Sequence, residues 1–146
     1  MRRRLRLRLS RPMNSRSRTQ LAVDEDLALV QLAQSRPEAA LAEMQQEKGD
    51  LWRRYGFSLV YYALRRHKEA DLALSEFVTN YQHTAAFQIA EVYAERGEVD
   101  RAFEWLERAY AQRDSGLSQI KGQPHFKRLE RDRRYAALLE KMRLPL

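Results

Sequence analysis

Shifted by 32 residues, this chain falls onto itself: Tyr61 lies over Tyr93, Ala70 over Ala102 and Leu74 over Leu106. A chain that repeats large and small apolar sites at such a period is built from helix pairs, which bury their apolar faces only by stacking on one another. Residues 98–112 carry Val99, Ala102, Phe103, Leu106, Ala109 and Tyr110 on one helical face, and Gly97 separates them from a helix over residues 84–96. One period earlier, residues 51–66 and 68–81 repeat the layout, with Ala70, Ala73, Leu74 and Phe77 on one stripe of the second helix. Upstream, residues 21–34 and 38–47 read as a first pair, with Ser35 as an N-cap and Pro37 in the first turn. Gly49-Asp50 then breaks the chain before the second pair.

Five Gly and four Pro among 146 residues leave little material for turns, which argues against an all-β fold and for one helical domain. With no cysteine, disulfides, thiolate metal sites and a cysteine nucleophile are all excluded, and a reducing compartment fits. The longest nearly unbroken apolar stretch, residues 57–64, is eight long and includes Ser58, far short of the roughly 20 residues a transmembrane helix needs.

The third pair resembles a tetratricopeptide repeat. It carries Tyr93, Gly97 and Ala102 at the spacing of that motif, with Leu106 and Ala109 at its later large and small sites and Asp114 where proline is usual. In the second pair Tyr61, Ala70, Leu74 and Phe77 hold the same frame, but Arg65 replaces the turn glycine and Phe77 the last small residue. The first pair, with Ala40 and Met44, is weaker still. Two longer stretches, AAFQIAEVYAERGEVDRAFEWLERAYAQRD at residues 85–114 and RYAALLEKMRLP at residues 134–145, are similar to the C-terminal repeat region of bacterial multidomain regulators. There such repeats trail a winged-helix, adenylate cyclase or protein kinase domain. The resemblance implies an all-α, tetratricopeptide-like helical-hairpin solenoid of about three hairpins plus a C-terminal capping helix, spanning residues 21–146. Within the cap, Pro124 starts a short helix through Leu129 and Asp132 serves as the N-cap of the last helix, although Arg133 stands where related sequences carry proline.

Residues 1–18 hold eight Arg and no acid, so of 27 basic and 20 acidic residues only 19 basic remain against all 20 acidic in residues 19–146. The basic character therefore belongs to a tail, taken as residues 1–20 and expected to be disordered. Its Arg- and Ser-rich composition resembles an organelle transit peptide, and a start at Met13 in place of Met1 accounts for it equally. Nucleic acid or an anionic membrane surface is expected as a partner only through this tail.

Chemistry is thinly represented. His67, His83 and His125 lie far apart with no metal-ligand spacing and are expected to be exposed or to cap elements; no two glycines lie closer than the six positions from Gly116 to Gly122, which excludes a phosphate loop. Close carboxylates such as Asp24-Glu25-Asp26 and Glu91/Glu95 read as solvated helix faces. No catalytic, cofactor-binding or metal-binding residue is assigned, and the expectation is a non-enzymatic, cytoplasmic module that binds a peptide or protein. The resemblance places the first helix of each pair on a concave groove. Its partner-binding residues would then be Trp52, Tyr55, Leu59 and Tyr62 from the second pair and Phe87, Glu91 and Glu95 from the third, beside Thr84 and Ala94. The first four fall on one stripe at i, i+3, i+7 and i+10, while Phe57, Val60, Tyr61 and Leu64 form the opposite stripe. A helix apolar on both sides is either covered on both or used for binding, and residues 21–34 or an upstream domain are the expected cover. A second reading stays open, in which the chain is a fragment of a larger signalling or transcriptional regulator.

Overall fold

In a computed structural model of the chain, Leu29, residues 31–32 and residues 34–145 are described, and the fold they form is helical throughout. The tail and the expected boundary at residue 20 lie outside them. The elements are α1 (Pro37–Gln46), α2 (Asp50–Ala63), α3 (His67–Tyr81), α4 (Ala86–Glu95), α5 (Val99–Gln112), two 3-10 helices (Ser115–Gly122 and Pro124–Phe126) and α6 (Arg133–Lys141). The densest packing is between α2 and α3 and between α4 and α5, so each pair is a helical hairpin, and α4 leans on both α2 and α3. Stacking of the hairpins buries Tyr55, Leu74, Phe77, Phe87, Ile89, Ala102 and Leu106 in one core. A satellite cluster around Ala40 and Val60, joined by Leu29, Leu32 and Met44, attaches α1 to α2. Gly56 permits that approach, since a Cβ there would collide with the Met44 thioether.

The 32-residue recurrence is carried by the backbone as well as by side chains. At the end of α2 the Arg66 amide donates to the Tyr61 carbonyl and the Arg65 amide to that of Tyr62; at the end of α4, Glu98 donates to Tyr93 and Gly97 to Ala94. These are paired helix-terminating bonds that need a left-handed residue just past the helix. Arg65 supplies it at φ 58° and Gly97 at φ 74°. The ends of α5 and α6 close in the same way on Arg113 and Arg143, at φ 55° and 58°. The turn at residues 64–66 thus keeps its geometry without glycine, because the flanking helices hold it.

Two local expectations change. Ser35 is helical, its Oγ donating to the Gln31 carbonyl at 2.7 Å instead of capping α1. Pro37 disfavours helical geometry at the residue before it, so the break falls on Arg36, at φ −143°, and Ser35 stays with the preceding turn. The expected short helix over residues 124–129 is instead a three-residue 3-10 turn preceded by an eight-residue 3-10 helix that helical periodicity does not announce. Asp132 does cap α6, accepting from the Arg134 amide.

Polar staples tie the hairpins together. Asp50, the first residue of α2, accepts from Arg54 at 2.8 Å, Tyr81 at 2.7 Å and Arg53 at 3.1 Å, so α2 is bound to the end of α3. Those donors, Arg54 first and then Tyr81, hold the Asp50 carboxyl at about 2. Arg96 binds the second hairpin to the third: its guanidinium, 5% exposed, donates to the Ala70 carbonyl and Asp71 and lies 5.1 Å from the centroid of the Tyr62 ring.

Candidate functional site

On α2, Trp52 is 40% exposed and meets the Tyr55 ring edge-on at 5.8 Å. Tyr55 is fully buried, its ring against Phe77 at 6.1 Å and its hydroxyl 3.2 Å from His125 Nε2. Leu59 is buried in the main core. Tyr62 is half-buried, and its hydroxyl donates to the Arg96 carbonyl at 3.3 Å. On α4, Phe87, Glu91 and Ala94 are buried, Thr84 just before the helix is exposed, and Glu95 is half-buried with Oε1 2.8 Å from His125 Nδ1.

Tyr55, Leu59, Phe87 and Glu91 therefore do not line an open groove. The chain covers α4 with its own 3-10 segments: Phe126 packs edge-on against Phe87 at 5.3 Å, and Leu117, Ile120 and Leu129 are buried in the same core. The fit depends on Gly116. A Cβ there would lie 2.5 Å from Phe87 Cδ1, 2.7 Å from Cγ and 2.9 Å from Cβ, so only glycine lets this backbone come down onto the ring. Asp114 fixes the start of the segment. One carboxylate oxygen accepts from the Gly116 amide and the other from the Phe87 amide at 3.1 Å, so a single side chain caps both the 3-10 helix and the N-terminus of α4.

Under this cover lies a polar seam that the sequence did not reveal. His125, expected to be exposed or capping, has a fully enclosed side chain between Tyr55 and Glu95. A neutral imidazole with its proton on Nδ1 donates to Glu95 and accepts from Tyr55, whereas an imidazolium donates to both, so the seam is hydrogen-bonded in either state. Gln123, 4% exposed, brings a buried amide that has no hydrogen-bond partner among the described residues. Sequence distance hid the arrangement, since His125 is 70 residues from Tyr55 and 30 from Glu95. The only local hint is Pro124-His125-Phe126, a histidine beside a residue that must be buried. His67 contacts the Tyr62 ring at 5.5 Å from an exposed position at the start of α3, and His83 is exposed.

The hydrogen bonds of the seam tie α2 and α4 to the 3-10 turn, with the His125 side chain fully enclosed and that of Glu95 partly exposed. Among the described residues no group of three or more His, Asp or Glu is placed to hold a metal ion, and no helix is long and apolar enough to cross a membrane. An open depression of about 470 Å³ lies between the end of α5 and Met142, lined also by Leu117, Arg113 and Asp114, whose carboxylate is already engaged as a cap. No known protein family, curated protein or solved structure matches the chain. What the fold leaves open on the predicted stripe is Trp52, with Tyr62 and Glu95 partly open.

Proposed function

We propose that the chain is a tetratricopeptide-like helical-hairpin solenoid that works as a non-enzymatic, cytoplasmic protein-interaction module. The observation that carries the reading is the doubled turn at Arg65 and Gly97, two residues 32 apart in the same left-handed conformation, each closing the first helix of a hairpin whose second helix packs back on it. Repetition of one supersecondary unit with terminal capping is the logic of helical solenoids, which present side chains along a continuous surface. Because the 3-10 segments pack on α4, the reading puts the contact with a protein or peptide on the outer rim. Trp52 is the anchor there, a large ring at 40% exposure resting on buried Tyr55. Immobilised intact chain should retain a protein that, once purified, rebinds saturably, and Trp52→Ala should weaken that complex by about 2 kcal/mol without changing helical circular dichroism. Unaltered affinity of Trp52→Ala moves the contact away from the start of α2. Finding no saturable protein partner would refute the interaction reading.

A further inference from the structure

Charge is segregated along the folded body. Residues 19–120 carry 11 basic and 17 acidic side chains, whereas residues 121–146 carry eight basic and three acidic. Within that last stretch Arg134 pairs with Asp132 and Asp100, Lys141 pairs with Glu107, and Lys121 donates to the Pro145 carbonyl. Lys127, Arg128, Arg131 and Arg133 are different: all four are exposed, and none forms an ion pair with a described residue. Their backbone is nevertheless held. Phe126 just before them and Leu129 among them are fully buried, and successive turn bonds run from Lys127 to Pro124, Leu129 to Phe126 and Asp132 to Leu129. Arg133 also occupies the first turn of α6, an unfavourable place for a cation, and the Asp132 carboxylate at the cap is shared with Arg134. Four cations on a fixed turn stand against one exposed carboxylate, Glu130, which pairs with none of them, while Asp132 is engaged by Arg134 and the α6 cap, so the surface keeps an excess of positive charge that an external anion would stabilise.

We infer that the turn at residues 127–133 is a docking surface for a short acidic segment of a partner protein. The inference deepens the proposed interaction role and rests on it. Length and charge of the neighbourhood favour a short peptide over nucleic acid. Beyond the turn the exposed side chains of α5 are of mixed sign, Asp100, Arg101, Glu104, Glu107 and Arg108, with Asp100 and Glu107 already paired to Arg134 and Lys141, so the cations of the turn do not continue into the basic track that a phosphate backbone needs. An acidic segment of a few residues touches the turn alone. No exposed aromatic side chain lies in the turn to stack on bases.

Carbodiimide coupling of the full chain to a blocked octaglutamate peptide tests this, because Lys127 is the amine inside the surface and the arginine tail contains no lysine. Coupling should concentrate on Lys127, and the exposed-site variant Arg128→Gln/Arg131→Gln/Arg133→Gln should bind the peptide roughly tenfold more weakly, with a shallower salt dependence and unchanged circular dichroism. Coupling spread evenly over Lys48, Lys68 and Lys127, or centred on the N-terminal amine, would overturn the site. A 12-base-pair duplex or phosphatidylserine vesicles held more tightly than the peptide, with the same dependence on the three arginines, would overturn the choice of partner. Failure here leaves the Trp52→Ala measurement untouched, since that contact lies on α2.

Discussion

Gly116→Ala is the sharpest test of the C-terminal cover. The added Cβ would sit 2.5–2.9 Å from three Phe87 atoms, including Cβ and Cγ close to the α4 backbone. Ordinary carbon contacts need about 3.5–4.0 Å, so either the segment lifts or the ring shifts by about 1 Å. The ring is 1% exposed and wedged against Phe126, which leaves it nowhere to go. Lifting the segment would also pull on Asp114 and, further along, on His125 and Phe126. The cost should therefore fall in the upper part of the overpacking range, about 2–3 kcal/mol, or a fall in thermal midpoint of roughly 10 °C for a body of this size. Gly122→Ala, in the same 3-10 helix but with nothing within 4 Å of its Cβ, is the control and should be neutral or slightly stabilising. Urea and thermal melts of both variants, with Phe87→Leu and the double variant, separate local strain from general loosening. The double variant should be less costly than the sum of the singles, because the smaller side chain relieves the collision. Gly116→Ala within 0.5 kcal/mol of the parent, or strict additivity with Phe87→Leu, would show that the segment does not rest on Phe87.

Three further outcomes follow from the geometry. Arg65→Gly and Arg113→Gly should each stabilise the fold by up to about 1 kcal/mol in urea melts, since the left-handed turns at φ 58° and 55° suit glycine, and Gly97→Val should destabilise it by at least as much. Asp114→Ala should cost about 1–2 kcal/mol, more than one ordinary cap, because two backbone amides lose their acceptor; amide exchange should rise at Gly116 and Phe87 together. The Asp50 carboxyl titrates at about 2 against an ordinary 3.8, so its stabilising contribution is present above pH 3.8 and is lost as pH falls toward 2. Asp50→Asn should flatten acid unfolding in that window, and an unchanged acid limb would show that Arg54 and Tyr81 do not hold it.

Much of this protein is written in short-range sequence. The helices of the two hairpins follow from apolar spacing over three or four residues, and their ends from Gly97, Pro37 and Asp132, each acting within a turn of its own position. Even the doubled closure at Arg65 and Gly97 is signalled by the 32-residue recurrence, although the positive φ of an arginine is not. The apolar stripe of α2 was legible, but what covers it was not. Trp52, Tyr55, Leu59 and Tyr62 have equal standing on a helical wheel, yet one is open, two are buried and one is stacked under Arg96. That difference comes from residues far along the chain: His125 and Phe126, in a 3-10 segment without helical periodicity, reach Tyr55 and Phe87 only after Gly116 has allowed the backbone to close on the ring. Glu91 and Glu95, one turn apart on α4, were alike in sequence and divided by the same packing, the first enclosed and the second bonded to His125. Local periodicity determines which faces of a helix are apolar; which of those faces remains open is decided by long-range closure, where a few close contacts select one arrangement of the same amphipathic elements.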